Sequence, residues 1–254
     1  FHNERTPSFV VNPDRQSWHC FGACGTGGDA FSFVMKAENM DFGQALQLLA
    51  QRTGVQLQRR GDPVKSDILH RINRVAASFY QETLKTDAGG QAQSYLNSRQ
   101  VDESSTQKFM LGFSPDSGEG LSSHLLKHDF KIDDAIEAGL VRRDNESMRT
   151  YDFFRNRLMF PIADRRGNIA GFGARALDDS NPKYINTSAT PIFDKRSTLY
   201  ALNFAIDSIR NQRTAVVVEG YMDAIAAHEH GFINVVASMG TALTEQQVAQ
   251  LRTV

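Results

Sequence analysis

The chain has 254 residues, 28 lysines and arginines against 29 aspartates and glutamates, a net charge of −1, and two cysteines. This length allows one large or two to three small domains with a real hydrophobic core. Two cysteines exclude a disulfide scaffold, and no apolar run approaches the ~18 residues of a membrane helix. The sequence therefore predicts no membrane partner. Its N-terminus lacks a signal sequence and an initiator methionine, so we expect a cut end.

The charge is distributed unevenly along the chain. Residues 142–213 carry thirteen lysines and arginines and eight acids, a net charge of +5, whereas residues 214–254 carry one and four, a net charge of −3. A basic block beside an acidic end suits phosphate binding next to carboxylates that hold a cation. Chance clustering of solvated surface charges is the alternative.

The fold class predicted from these elements is α+β and multidomain. A small, loop-rich domain is expected over 1–58, and Asp41 is expected to cap its second helix, which ends at Gly54. A linker is predicted over 59–66. The elements predicted in the first domain are strands over 8–11 and 17–20 and helices over 30–36 and 42–52.

The remaining chain predicts a mixed α/β core over 67–210 and a βαβα segment over 211–254. The helices predicted in the core cover 67–85, 91–99, 103–110, 121–128, 132–139 and 199–210. A hairpin with a glycine turn is predicted over 157–163 and 169–174. The final segment predicts a wholly apolar, doubly buried strand over 215–218, a helix over 221–230, a strand over 234–237 and a helix capped by Thr244.

His2, Cys20 and Cys24 are candidate zinc ligands. Two thiols separated by three residues across a glycine fall within the spacing that zinc sites use, and His2 precedes the same hairpin. A structural zinc ion normally takes four ligands, and His19 should point to the opposite strand face from Cys20. We therefore expect the fourth ligand before Phe1. Two free buried thiols are the alternative.

The basic block interleaves aromatic side chains with cations, a composition that binds phosphates and stacks on bases. Arginines on a solvated hairpin face, paired with nearby aspartates, are the alternative. The candidates for nucleic-acid and nucleotide binding are Arg155, Arg157, Arg175, Lys183, Asn186 and Lys195.

Glu219 follows the predicted strand over 215–218, and Asp223 lies one helical turn further on. The ends of such strands are where open α/β sheets place their sites. A Glu–Asp pair there suits metal binding, acid–base catalysis and phosphoryl transfer. The alternative for Asp223 is an acid that interacts favourably with the helix dipole.

These motifs, in this order, resemble the bacterial DnaG-type DNA primases. The segments 2–9, 18–22 and 27–29 are similar to the CHC2 zinc ribbon of that family. The segments 154–157, 171–175, 182–186 and 193–195 are similar to its RNA polymerase core, and 219–223 with 237–241 to its Toprim segment. The C-x3-C spacing here departs from the usual C-x2-C pair of the ribbon.

The resemblance implies roles for individual residues. Glu219 and Asp223 would be catalytic acids that hold Mg²⁺ or Mn²⁺, and His2, Cys20 and Cys24 would hold a structural Zn²⁺. The basic residues Arg155, Arg157, Arg175, Lys183 and Lys195 would face template and nucleotide. The family's further Asp-x-Asp pair and its helicase-binding domain are expected beyond Val254, so this segment alone is expected to be nearly inactive.

The resemblance also implies synthesis of short RNA primers on single-stranded DNA from ribonucleoside triphosphates, with a replicative helicase as partner, in the bacterial cytoplasm at the replisome. Three alternatives are open at this point. They are a primase–helicase of phage or plasmid type, another Toprim enzyme such as a topoisomerase or nuclease, and a non-enzymatic zinc-ribbon module that binds DNA.

Overall fold

The computed structural model describes residues 1–4, 6–55, 62–240 and 242–254. The chain divides into two compact units, residues 1–59 and 60–254. No helix in the described residues is both long and apolar enough to cross a membrane. Part of the predicted linker, 59–61, lies outside the described residues, as does residue 241.

The first unit is a three-stranded antiparallel sheet followed by two helices. Its elements are β1 (Phe9–Asn12), β2 (Ser17–Cys20), β3 (Gly27–Gly28), α1 (Ala30–Ala37) and α2 (Phe42–Thr53), with strand order β1-β2-β3. Trp18 is buried, and the rings of Phe1, Phe9 and Phe33 pack around it. This aromatic cluster forms the core of the unit.

The caps predicted for the second helix are confirmed. The Asp41 carboxylate accepts a hydrogen bond from the Gln44 backbone, and the Gln44 side chain accepts one from Asp41, which makes a capping box. Gly54 ends the helix with a left-handed φ of 69°.

The second unit begins with a long helix, α3 (Pro63–Leu84). Its start is four residues earlier than predicted, so residues 63–66 are helical and not linker. The physical reason is local: the Asp62 carboxylate caps the helix by accepting from the Val64 backbone, and proline suits the first helical position.

A four-stranded antiparallel sheet of order β4-β7-β8-β9 forms the centre of the second unit. Before and around it lie α4 (Gly90–Ser98), α5 (Glu103–Lys108), β4 (Gly112–Ser114), α6 (Gly120–Lys127), α7 (Ile132–Glu137), β5 (Val141–Arg143), β6 (Thr150–Asp152), β7 (Arg157–Ala163), β8 (Ile169–Ala176) and β9 (Tyr184–Asn186). The hairpin β7–β8 was predicted, whereas the three-residue strands flanking it were not. Runs that short carry too little alternation to be recognised.

Both faces of this sheet are covered. Met159 and Phe172 point into a cluster with α3, α6 and α7, whereas Leu158 and Phe160 point into a second cluster with α4. Every residue of β8 is therefore buried. This sandwich fixes which side chains of β8 and β9 reach each face.

The last part of the chain is the predicted βαβα segment. After α8 (Leu202–Gln212), its elements are β10 (Val216–Val218), α9 (Tyr221–Glu229), β11 (Val235–Ala237) and α10 (Glu245–Arg252). Strands β10 and β11 pair in parallel, and Thr244 caps α10 with a capping box. These predictions are confirmed.

The expectation that the first strand of this segment is buried on both faces is wrong for Val216, which is 43% exposed. Val217 packs against the cluster centred on α8, and Val218 packs against the cluster that covers the sheet. Val216 belongs to neither cluster, so no apolar neighbour covers it.

Candidate metal sites and nucleotide-binding face

The structure brings His2, Cys20 and Cys24 together. One potential ligand atom from each residue lies within 4.8 Å of the other two. Cys20 ends β2 and is buried, and its Sγ lies 3.8 Å from Nδ1 of His2. Among the described residues, this is the only group of three or more metal-ligating side chains.

The neighbours of these three residues support metal binding. The Glu4 carboxylate lies 2.9 Å from Nε2 of His2, which leaves Nδ1 facing the thiols. A carboxylate that holds the far nitrogen of a ligating histidine is a recurrent feature of metal sites. Hydrogen bonds from the Ser8 hydroxyl and backbone N–H lower the pKa of Glu4, so this carboxylate stays ionised.

The Cys24 thiol is set up to ionise. The Thr26 hydroxyl donates to its sulfur at 3.6 Å and, together with Cys20 and His2, lowers the pKa of Cys24 from 9.0 to about 6. Two cysteine sulfurs and an imidazole are ligands that zinc commonly takes, so this set of residues fits the ion well. A Cβ on Gly22 would come too close to the Ser8 hydroxyl, Nε2 of His2 and the Glu4 carboxylate, so a side chain there would displace the groups around the ligands.

His19 does not join the ligands. It is exposed, and its ring packs against Phe21 with centroids 4.4 Å apart. This confirms that strand alternation directs it away from Cys20. The prediction that a residue before Phe1 completes the site stays a prediction.

Glu219 and Asp223 lie where the sequence places them, around the junction of β10 and α9. Both are exposed, and the Glu219 carbonyl accepts a hydrogen bond from the Gly240 backbone at 2.9 Å. One Asp223 oxygen accepts from the Gly220 N–H at 3.0 Å and caps α9. Asp223 thus lies in the first turn of α9, where the helix-dipole alternative places it, and one of its oxygens also caps the helix.

The structure brings three of the predicted binding residues to one face of β8 and β9, which we call the β8–β9 face. Arg175 pairs in register with Tyr184, and Gly173 pairs with Asn186. Lys195 reaches this face from the loop that follows, where its ammonium lies 3.1 Å from the Asn186 side-chain amide. The members of the face are Gly173, Arg175, Tyr184, Asn186 and Lys195.

Arg175 is held by aromatic rings more than by hydrogen bonds. Its guanidinium lies 3.9 Å from the ring centre of Tyr95, on α4, and 5.9 Å from that of Tyr184. The group is only 9% exposed, and its Nε has no hydrogen-bond partner in the described residues. A cation packed between two rings in a low-dielectric setting attracts an anion that approaches the exposed part of this face.

The start of α9 lies against the β8–β9 face. Tyr221, the first residue of α9, covers Gly173 so closely that a Cβ there would overlap its ring. The pKa of Tyr184 is raised above its usual value, mainly by burial and secondly by Tyr95. The positive charge of Arg175 acts in the opposite direction, and the negative charge of Asp223 raises this pKa further. Asp223 is therefore electrostatically coupled to the same face that holds Arg175.

The other predicted cations are placed differently. Arg157 donates to the carbonyl oxygens of Pro182 and Lys183 at 3.0 and 3.4 Å, so it holds the loop before β9. Lys183 itself is exposed. Arg155 is also exposed and lies 5.8 Å from the ring centre of Tyr151, with no contact to the β8–β9 face in the described residues.

Sequence reasoning missed Tyr95 and the role of Tyr221 on this face. Tyr95 lies 80 residues before Arg175 in a polar helix, and no local pattern links the two. Tyr184 follows Lys183 directly in the sequence, and this was the one local sign that tyrosines accompany the cations of this face.

Comparison with known proteins gives three matches to family models, in chain order. The model described as the CHC2 zinc finger matches residues 1–65, the DNA primase catalytic core N-terminal domain matches 79–206, and the Toprim domain matches 213–254. The second match alone covers about half of the chain.

A curated DNA primase of Deinococcus radiodurans is 43% identical over 252 residues, 99% of this chain and 43% of its own length. The solved zinc-binding and RNA polymerase domains of Aquifex aeolicus primase align with a TM-score of 0.68 at 36% identity, over 100% of this chain and 61% of that one. The RNA polymerase domain of Mycobacterium tuberculosis primase DnaG, in complex with a double-stranded DNA oligomer with a 6-nucleotide overhang, aligns with a TM-score of 0.71 at 36% identity, over 74% and 59%.

Proposed function

The chain belongs to the DNA primase family, and from this membership we propose that its parent protein synthesises short RNA primers on single-stranded DNA. The chain spans less than half the length of the curated relative described above. The observation that carries the proposal is the position of the β8–β9 face, with Arg175 and Lys195, against the first turn of the helix that follows Glu219.

In this proposal, the β8–β9 face binds the phosphates of ribonucleoside triphosphates. Arg175 contributes a positive charge in a low-dielectric setting, and Lys195 offers an ammonium whose stem is half-buried. The exposed Arg155 and Lys183 would contact template phosphates, and the ring of Tyr184 would stack on a base. The DNA overhang in the Mycobacterium tuberculosis complex supports a nucleic-acid role for this family core.

Glu219 and Asp223 would hold Mg²⁺ or Mn²⁺. Both carboxylates are exposed, oxygen is the ligand that these ions prefer, and magnesium is commonly held by one or two carboxylates together with substrate phosphates. When bound, the ion supplies charge neutralisation to the phosphates and the leaving group. Glu219 and Asp223 orient the ion, while Arg175 and Lys195 orient the triphosphate.

The zinc ribbon would serve the same reaction by helping to choose where synthesis begins, and a replicative helicase would be a partner of the parent protein. We place that activity at the replisome in the bacterial cytoplasm. The 254-residue segment alone should be nearly inactive, because the proposal assigns further metal ligands to the parent chain.

Glu219→Gln in the parent protein tests the metal assignment. We expect loss of labelled ribonucleotide incorporation on a single-stranded template by at least about a hundredfold, since a neutral amide replaces a metal-binding carboxylate. Glu245→Gln is the matched control, because Glu245 is an exposed acid in the first turn of α10. Equal activity of the two variants would refute the role of Glu219.

A further inference from the structure

Lys195 has an unusual set of neighbours for a surface cation. None of the ion pairs in the described part of the chain includes it. Its ammonium instead lies 3.1 Å from the side-chain amide of Asn186. A lysine ammonium is otherwise free to move on its flexible four-carbon stem. A contact with a neutral amide restricts this movement and leaves the positive charge unpaired.

The chemistry of lysine fixes the orientation of the Asn186 amide. An ammonium group can only donate hydrogen bonds, so the amide oxygen must face Lys195. The amide nitrogen then donates to the Tyr221 hydroxyl and, at 3.3 Å, to the Ile185 carbonyl. The opposite orientation would place two donors against each other at Lys195. A hydrogen-bonded chain therefore runs from Tyr221 through Asn186 to Lys195.

The Tyr221 end of this chain is rigid. Its ring stacks on Phe160 with centroids 4.8 Å apart and an interplanar angle of 13°, and meets Tyr200 edge-on at 4.8 Å. Only 2% of Tyr221 is exposed. Tyr221 also begins α9, two residues after Glu219, so its hydroxyl is fixed relative to the backbone of the proposed metal-binding acid.

We propose that Tyr221 and Asn186 are positioning residues that hold the Lys195 ammonium in place for the triphosphate, and so link the strand end that carries Glu219 to the β8–β9 face. One amide oxygen occupies one of the three ammonium hydrogens and leaves the others for phosphate oxygens. The role assigned to Lys195 in nucleotide binding rests on the proposed function, whereas the hydrogen-bonded chain itself does not.

The first experiment measures Lys195 directly and needs neither metal nor nucleotide. The rate at which acetic anhydride acetylates each lysine is followed by mass spectrometry in the wild type, Tyr221→Phe and Tyr200→Phe. Tyr200→Phe is the matched control, because the Tyr200 hydroxyl is buried without a hydrogen-bond partner in the described residues. We expect Tyr221→Phe to change the Lys195 rate about threefold or more, with other lysines unchanged. An unchanged rate of Lys195 acetylation would overturn the proposal that Tyr221 and Asn186 position Lys195.

The second experiment uses primer synthesis by the parent protein. Tyr221→Phe and Asn186→Ala should raise the KM for ribonucleoside triphosphates about three- to tenfold with little change in kcat, and Tyr200→Phe should change neither. A changed Lys195 rate with an unchanged KM would overturn its placement for the triphosphate. The activity of Glu219→Gln tests the proposed function independently of these outcomes. Failure of the positioning proposal and failure of the proposed function are therefore distinguishable.

Asn186→Ala guards against misfolding of the tyrosine variant. This substitution breaks the same series of hydrogen bonds at Asn186, which is half-buried at the end of β9. It leaves the packed ring of Tyr221 in place. If Asn186→Ala changes the rate of Lys195 acetylation as much as Tyr221→Phe does, the result supports the positioning of Lys195 by these two residues. A change in Tyr221→Phe with none in Asn186→Ala would overturn it, because the effect would then come from packing.

Discussion

At the scale of single residues, the ribbon ligands and the Toprim acids differ in how far the fold prepares them. His2, Cys20 and Cys24 already converge, with Glu4 and Thr26 oriented toward them. Asp223, in contrast, uses one oxygen to cap α9 by accepting from the Gly220 N–H. The three candidate zinc ligands are thus brought together by short-range contacts, whereas Asp223 is held mainly by its own helix.

The lowered pKa of Cys24 gives a pH-dependent prediction. In metal-free protein, alkylation of Cys24 by iodoacetamide should be half-maximal near pH 6, because the thiolate is the nucleophile. Since folding lowers this pKa, ionised Cys24 stabilises the unit fully above pH 9 and this contribution is lost as pH falls through about 6.

Thr26→Val is the control for this measurement. It removes the largest cause of the lowered pKa and should shift half-maximal alkylation toward pH 9. A wild-type profile that is half-maximal near pH 9 would show that the thiol is not activated by its neighbours. Cys20 and Cys24 share the segment between Arg15 and Lys36, so fragment-ion mass spectrometry of that peptide assigns the modification to Cys24 and not to the buried Cys20.

Residues predicted from sequence at this scale are those whose signal is local. The cysteine spacing and the acid after a strand are visible within a few positions, so Cys20, Cys24 and Glu219 were found. Tyr95 was not, because its contact with Arg175 depends on the packing of α4 against the sheet. Tertiary packing of this kind leaves no periodic trace in the sequence.

At the scale of elements, the β8–β9 face depends on how closely α9 approaches the sheet. A side chain at position 173 would occupy the volume of the Tyr221 ring, which itself stacks on Phe160 of β7. Glycine in this strand is required by the approach of a neighbouring side chain and not by a turn.

Gly173→Ala should therefore destabilise the protein by about 1–3 kcal/mol, the usual cost of overpacking a core. Urea unfolding followed by circular dichroism measures the change. Gly90→Ala is the control: its Cβ would meet no atom within 4 Å, and at the start of α4 alanine should be neutral or slightly stabilising. A Gly173→Ala variant as stable as the wild type would contradict the close approach.

Most helices were predicted within one to four residues because their caps and apolar periodicity are local. Asp41, Gly54 and Thr244 mark helix ends as expected. The strands β4, β5, β6 and β9 were missed because each has three residues and gains its stability from pairing with distant partners. The pairing of β9 with β8 is what forms the β8–β9 face.

At the scale of the whole chain, the net charge of −1 conceals a basic region of +5 and an acidic end of −3. The structure shows that this basic region is heterogeneous. Arg175 is buried and Arg157 holds a loop, whereas Arg155 and Lys183 are exposed. Only exposed cations can track a DNA backbone without rearrangement.

Salt dependence of single-stranded DNA binding tests this division. Each phosphate contact contributes about 0.7 to the slope of log affinity against log salt for single strands. The double variant Arg155→Glu with Lys183→Glu should thus lower the slope by about 1.4. Lys127→Glu, an exposed lysine on α6 outside the basic block, should leave the slope at its wild-type value. Equal slopes for the two would show that Arg155 and Lys183 do not contact DNA.

The central claim is that this chain is part of an enzyme that copies single-stranded DNA into RNA. Its most direct test is to incubate the parent protein with a single-stranded template, Mg²⁺ and labelled ribonucleoside triphosphates, and to sequence the product. The account predicts short RNA complementary to the template, absent without template or divalent ion. Template-independent product, or no product from an intact and metal-loaded protein, would contradict it.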